Sequence, residues 1–308
     1  MKFDKKKVLI IGFGSIGQRH FKILNKMSVK TYIYSKRNIN IKNSFCNLKN
    51  SLNKINYDYI IIANKTSEHL NTLKKLKKLN YKGIILIEKP IFDKYIEFDE
   101  RFFKRILVAF NLRFHPIIQY LKKKISREKI LSVNAYVGQY LPYWRPKKDY
   151  KKTYSAIKKY GGGVLLDLSH EIDYLNWTLN GFSEVNANGG KTSNLKIDSD
   201  DLFQISLKSK KCNFVQLELN YLDKILRRFL IVNTINHSYK IDLVANTLEI
   251  DGKIKKFNTH KNMSYKIQHK HMLKKNFSVI CNYKEALMTM KIIDSIKQSN
   301  KKKKWVKI

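Results

Sequence analysis

Cysteine is scarce in this 308-residue chain, which has three: Cys46, Cys212 and Cys281. They lie far apart, are odd in number, and form no C-x-x-C pair, which excludes a disulfide scaffold or a cysteine-based metal module. A chain of this length buries enough surface to need neither. A reducing, cytoplasmic compartment is the expectation. No apolar run approaches the roughly 18 residues of a membrane span. A strand-like run begins at Val8, so no signal peptide is expected ahead of it. Internal repeats and low-complexity linkers are also missing. Acidic residues are few, 24 against 62 Lys plus Arg, for a formal charge of +38. Nine of those basic residues are Arg and the other 53 are Lys, in a chain also rich in Ile and Asn. That trio is the mark of AT-rich codon use, so much of the lysine reads as solvated surface. The charge still predicts attraction of anionic small molecules and salt-sensitive, non-specific association with nucleic acid. No aromatic-plus-basic motif argues for a specific nucleic-acid partner. With 43% hydrophobic residues and 12% aromatics the chain is not disordered.

What is present falls into two patterns. Residues 7–11, 29–34, 58–63, 83–87 and 106–110 read as short, predominantly apolar strands. Helical spacing fills 18–27, and an amphipathic helix is expected over 66–79. Buried strands alternating with helices predict a parallel sheet covered on both faces, so residues 1–112 read as a doubly wound nucleotide-binding domain. From residue 113 the pattern changes. A helix is expected over 116–125, a strand over 130–141 and a helix over 161–179. Strands then follow at 182–188, 202–207, 213–221, 228–233, 239–243 and 247–250 with no helix between them. Such a series predicts an antiparallel sheet in a second domain spanning 113–308. A last amphipathic helix covers 283–298, and 301–304 reads as a solvated charge run.

The first strand ends in Gly12-Phe13-Gly14-Ser15-Ile16-Gly17, a G-x-G-x-x-G turn opening a helix. In that context Gly12 permits the tight turn, Gly14 lets the backbone approach a pyrophosphate, and Gly17 allows close helix–strand packing. The helix N-terminus offers free N–H groups to the phosphates. An NAD site places an acid at the end of the second strand. Here that place holds Tyr34-Ser35-Lys36-Arg37, suited to a 2′-phosphate, so NADP is favoured over NAD.

Further segments stand in a fixed order: Asn64-Lys65-Thr66 with His69, then Glu88-Lys89-Pro90, then Asn111-Leu112-Arg113, then Gly161-Gly162-Gly163…Asp167-Leu168-Ser169-His170-Glu171-Ile172-Asp173. Together with the glycine turn they resemble the glucose–fructose oxidoreductase, inositol dehydrogenase and rhizopine-catabolism (Gfo/Idh/MocA) family over nearly the whole chain. The resemblance implies a Rossmann domain followed by an α/β domain with a large, open, mostly antiparallel sheet. It implies hydride transfer between a nicotinamide and a sugar, sugar nucleotide or cyclitol carbon. It also implies pairing of subunits through that sheet into a homodimer or homotetramer. Lys89 corresponds to the family's active-site lysine and His170 to its acid/base. Asn64, Thr66, His69, Glu88 and Lys89 fall where the cofactor binds. Many members space the later Asp and His four residues apart. Here Asp167 and His170 are three apart, and both spacings place the pair on one helix face. Either Asp167 or Asp173 is then available to orient the imidazole. The stretch Trp144-Arg145-Pro146…Asp149-Tyr150…Tyr154-Ser155-Ala156 is similar to members from surface-polysaccharide and acidic-sugar pathways.

The expected chemistry follows from these residue types. Oxidising a secondary alcohol removes a proton from oxygen as hydride leaves carbon, and the reverse donates one. Imidazole, with an ordinary pKa of about 6.5, suits that role in His170. Lys89, desolvated or beside a cationic nicotinamide, is expected to titrate low and to polarise the oxygen. Trp144, Arg145, Tyr150 and Tyr154 are candidate substrate contacts through ring stacking and an anion grip, and Asn111, Arg113 and Asp173 join them. His115 is as readily structural. His237, His260, His269 and His271 lack metal spacing and read as surface residues. The rival to an enzyme is a non-catalytic NAD(P)-binding regulator, against which intact Lys89 and His170 argue.

Overall fold

The computed structural model describes residues 3–308, which divide into two compact units: residues up to Phe114 with Lys261–Leu287, and His115–His260 with Met288–Ile308. The first unit begins with β1 (Lys7–Ile11), α1 (Ser15–Lys26), β2 (Lys30–Tyr34), β3 (Ser44–Phe45), α2 (Leu48–Lys54), β4 (Tyr59–Ile62), α3 (His69–Lys78), β5 (Ile84–Ile87) and β6 (Arg105–Val108). The central strands read KVLII, YIII and IILI, and their apolar residues are buried. Uninterrupted apolar strands are stable only with both faces covered, which makes this sheet parallel rather than half-solvated. Helix α1 turns Gly17, His20, Ile23 and Leu24 inward. The expected helix over 66–79 starts as a single tighter turn, Thr66–Glu68, before α3 takes over.

The second unit contains α4 (Pro116–Ile125), β7 (Ile130–Gly138), α5 (Val164–Asp167), α6 (Ser169–Thr178), β8 (Glu184–Gly190), β9 (Leu202–Lys208), β10 (Val215–Asn220), β11 (Arg227–Thr234), β12 (Ser238–Asp242), β13 (Thr247–Ile250) and β14 (Lys253–Lys256). Alternating burial along β9 and β10 gives these strands one inward face, as period-two side chains require. After β14 the chain supplies α7 (Met263–Leu273) and β15 (Cys281–Asn282) to the first unit, then α8 (Tyr283–Lys302) and β16 (Val306–Lys307). Met272, Leu273 and Ile280 join the core formed by Val8, Ile10, Leu24 and Ile61.

The first sheet has the order β15-β6-β5-β4-β1-β2-β3, parallel except for the edge strand β15, which pairs antiparallel with β6. The second has nine strands, β14-β13-β12-β11-β7-β10-β9-β8-β16. Only β7 and β10 in it run parallel; its remaining pairs are antiparallel. The fold is therefore mixed α/β, with one parallel-dominated and one mostly antiparallel sheet. Lys301–Lys304 is exposed, as a charge run should be, and the chain beyond it closes the sheet edge at β8. Among the described residues no helix is long and apolar enough to cross a membrane.

Candidate functional site

In the first unit strand order reverses at β1, with β2 on one side and β4 on the other. Loops leaving the carboxyl ends there diverge and open a crevice. The glycine turn follows β1, and Ala63-Asn64 follow β4. Gly12 has φ 94°, and a Cβ on it would stand 2.6 Å from the Asn64 backbone nitrogen. Only glycine lets these two turns meet. Gly14 caps α1 with no side-chain hydrogen bond, no acid occupies the first turn, and a Cβ at Gly14 would meet nothing within 4 Å. The opening N–H groups of α1 have no intrahelical acceptor, and no side chain caps them. Asn64 Nδ2 donates to Glu68 (3.2 Å) and Thr72 (2.8 Å), while its Oδ1 is buried without a hydrogen-bond partner. A row of free donors with a bare buried acceptor beside it fits the pyrophosphate and ribose of a dinucleotide.

The end of β2 is tied to the same turn. Arg37 Nη2 donates to the Phe13 carbonyl (3.3 Å), and the Arg37 N–H donates to Ser35 Oγ (3.1 Å). Ser35 is buried; Lys36 and Arg37 are exposed. Thr66 is buried at its tight turn, and His69 opens α3. His69 Nδ1 lies 3.2 and 3.1 Å from the carbonyl oxygens of Pro90 and Ile91, which fixes Nδ1 as the donor. Burial lowers the His69 pKa, so the ring is held neutral. His69 thereby braces the backbone just after Glu88-Lys89-Pro90, whose Lys89–Pro90 peptide is cis. Lys89 is half-buried at the carboxyl end of β5. Asn111 and Arg113 take interior places in this unit. Asn111 Nδ2 donates to Ser264 (2.6 Å), and Arg113, 1% exposed, pairs with Glu285 (2.9 Å).

The second unit gathers most of the remaining candidates. The triple glycine folds tightly: a Cβ at Gly162 would lie 2.2 Å from the Tyr154 carbonyl oxygen. That contact presses the Tyr154–Ala156 segment onto the start of α5. Asp167, at the end of α5, accepts from Tyr221 Oη at 2.7 Å. Burial and then Asp167 raise the pKa of Tyr154, and they raise that of Tyr221 likewise, so both phenols stay protonated. The Arg145 guanidinium lies 5.5 Å from the Tyr154 ring centre, and Trp144 meets Tyr221 edge-on at 5.1 Å. Trp144, Arg145, Tyr154 and Tyr221 thus make one aromatic cluster around Asp167. The Tyr150 hydroxyl accepts from the Lys196 N–H (3.2 Å).

Three expectations need correction. The helix read as running continuously over 161–179 is broken at Leu168, so Asp167 and His170 sit on separate helices. Their three-residue spacing therefore carries no shared helix face, whereas His170 and Asp173 do lie one turn apart on α6. His269, read as a surface residue, is fully buried on α7 against His20, because lysines dominate its sequence neighbourhood and hide the inward face. His237 and His260 are exposed as expected, and His271 is half-buried. The partners of two buried acids were not legible in the sequence. Glu171, 0% exposed, is held by Arg228 through two bonds of 2.7 and 3.0 Å. Glu88 is bonded to His20. His20 falls three residues after Gly17 and four before Leu24, on the apolar face of α1; that placement was its one visible signal.

Residues 118–234, within the second unit, match the model of the GFO/IDH/MocA C-terminal domain. The chain carries a Gfo/Idh/MocA C-terminal domain. Almost its whole length shares a fold with solved structures of that type. A levoglucosan dehydrogenase in complex with NADH is 16% identical and superposes with a TM-score of 0.83, covering 98% of this chain and 99% of its own. The WlbA dehydrogenase of Chromobacterium violaceum, in complex with NADH and UDP-GlcNAcA, is 15% identical with a TM-score of 0.79, covering 100% and 97%. GenD2 from gentamicin A biosynthesis, in complex with NAD, is 14% identical with a TM-score of 0.78, covering 98% and 96%. No curated protein sequence matches the chain. At such identities the shared property is the Gfo/Idh/MocA fold.

Proposed function

We propose that the protein is an NAD(P)-dependent oxidoreductase acting on a secondary alcohol or ketone carbon of a sugar or sugar nucleotide. The observation that carries this reading is the uncapped, acid-free start of α1 behind Gly12 and Gly14, at the reversal of strand order. Donors without acceptors and a positive helix end are what a pyrophosphate needs. A bound nicotinamide supplies or accepts the hydride. Within the first unit Ser35, Lys36 and Arg37 are assigned to a 2′-phosphate, which favours NADP. Asn64 and Thr66 are assigned to the cofactor's ribose side, with Glu88 and His69 shaping the Lys89 corner. Lys89 polarises the substrate oxygen. In the second unit His170 moves the proton, and Asp173, on the same helix face, holds its tautomer. Trp144, Arg145 and Tyr154 bind the sugar, with Asp167 fixing the tyrosines. The Arg145 guanidinium suits a phosphate or carboxylate on the substrate, which supports an acidic or nucleotide-linked sugar of a surface-polysaccharide pathway. Subunits pair through the nine-stranded sheet, and three cysteines outside any disulfide suit the cytoplasm.

Titration with NADPH and NADH tests this first, followed by turnover on a panel of free and UDP-linked sugars that includes levoglucosan and UDP-GlcNAcA. Tighter binding of NADPH and dinucleotide-dependent turnover of a sugar are expected. Ser35→Ala with Arg37→Ala should weaken NADPH more than NADH. Absence of binding by both dinucleotides would refute the proposal.

A further inference from the structure

Four buried side chains from distant parts of the sequence form an unbroken polar line in the first unit. Glu88 Oε1, beyond β5, lies 2.8 Å from His20 Nε2 on α1. His20 Nδ1 lies 2.8 Å from His269 Nε2 on α7. His269 Nδ1 lies 2.8 Å from the Tyr59 hydroxyl on β4. Exposures are 6% for Glu88, 0% for both histidines and 1% for Tyr59. At its other oxygen Glu88 accepts the Lys89 N–H at 3.3 Å.

Hydrogen-bond counting gives this line a direction. The Tyr59 hydroxyl sits at the closed end, and among the described residues its single side-chain partner is His269. A buried O–H left without an acceptor is costly, so Tyr59 donates to His269 Nδ1. His269 then carries its proton on Nε2 and donates to His20 Nδ1. His20 carries its proton on Nε2 and donates to Glu88. The line closes with two neutral imidazoles and one carboxylate, and every donor is used. A cationic His20, or a protonated Glu88 donating to it, reverses both imidazole bonds and leaves the Tyr59 hydrogen buried without an acceptor. Ring packing holds the order in place: Tyr265 meets His20 edge-on at 5.7 Å, and Tyr59 stacks on His269 at 6.2 Å.

We infer that Tyr59, His269 and His20 form a one-way hydrogen-bond relay that fixes Glu88 as an oriented carboxylate beside Lys89, making His20 and His269 positioning residues for the dinucleotide site. The last clause rests on the function proposed above; the relay itself does not. Each imidazole accepts on one side and donates on the other, so polarisation accumulates toward Glu88. The return of the chain through α7 completes the line, since His269 lies 249 residues from His20 in sequence.

Imidazole ¹⁵N NMR of the full-length protein at pH 7.5 tests the relay without cofactor, with His20→Gln and His269→Gln used for assignment. Both rings should be neutral and protonated on Nε2. A ring protonated on Nδ1, or a cationic ring, at either position would overturn the relay. Dinucleotide titration then tests positioning. His269→Leu, which removes donor and acceptor, should weaken NADPH binding about tenfold, the size of one buried hydrogen bond. His269→Gln, whose amide nitrogen can replace the Nε2 donor, should restore most of that loss. Unchanged affinity in a folded His269→Leu protein, or equal losses in the two variants, would remove the positioning role. Predicted tautomers with no dinucleotide bound by the wild type would uphold the relay and overturn the proposed function.

Discussion

Burial of His269 makes the folded state sensitive to mild acid, and the size of the effect can be worked out. Desolvation and the neighbouring His20 lower the His269 pKa well below its ordinary value. The groups facing it are His20 on α1 and Tyr59 on β4, with Glu88 one step further along. Above the ordinary imidazole pKa both the folded and the unfolded chain hold the ring neutral, and His269 contributes no pH dependence. Below it the unfolded chain takes up a proton that the folded chain refuses. Stability therefore falls as pH falls, and the loss ends at the depressed folded pKa. One such group removes about 1.4 kcal/mol by pH 5.5, one unit below the unfolded value, which is a tenfold shift in the folded-to-unfolded ratio. His69 and His115, also lowered by burial, act with the same sign. Urea unfolding at pH 7.5, 6.5 and 5.5, for wild type and His269→Gln, isolates the term, because the carboxylates are common to both. The wild type should lose about 1.4 kcal/mol more than the variant over that range. Parallel pH profiles would refute the reasoning.

Other expectations follow from the same contacts. Gly12→Ala forces a Cβ against the Asn64 backbone at φ 94°, so about 2 kcal/mol or more of stability should be lost together with dinucleotide binding, by urea unfolding and titration. Arg228→Ala strands the buried Glu171 carboxylate and should lower unfolding free energy by about 3–5 kcal/mol, with Glu171→Gln in the same background recovering part of it. Tyr221→Phe removes the hydroxyl from Asp167 and should destabilise by about 1–3 kcal/mol in the same assay. Lys89→Ala should reduce turnover by orders of magnitude while NADPH still binds, and near-wild-type turnover would remove its assigned role.

Much of the fold was legible because its signals are local. KVLII, YIII and IILI announce buried parallel strands, and Gly12-x-Gly14-x-x-Gly17 after the first of them announces the turn. The alternating strands after residue 181 announce the second sheet in the same way. Hydrophobic period and turn chemistry are properties of short windows, so one sequence suffices to read them. Helix α7 escaped notice because its apolar positions are few and scattered among Lys and His, leaving no clean stripe. The short strands β3, β15 and β16 have two residues each, too few for any period to show.

The candidate sites divide along the same line. Composition and motif order fixed the residue types: a phosphate-binding turn, a Glu-Lys-Pro corner, a glycine-led Asp and His pair. Partnerships between residues far apart in sequence were decided by packing alone. The break at Leu168 separated Asp167 from His170 and delivered Asp167 to Tyr221. Glu171 found Arg228 across the second unit, and His20 found both Glu88 and His269. A side chain's sequence neighbours set its local conformation, but a buried polar group must find its hydrogen-bond partner wherever the chain returns, and only the tertiary structure decides where that is.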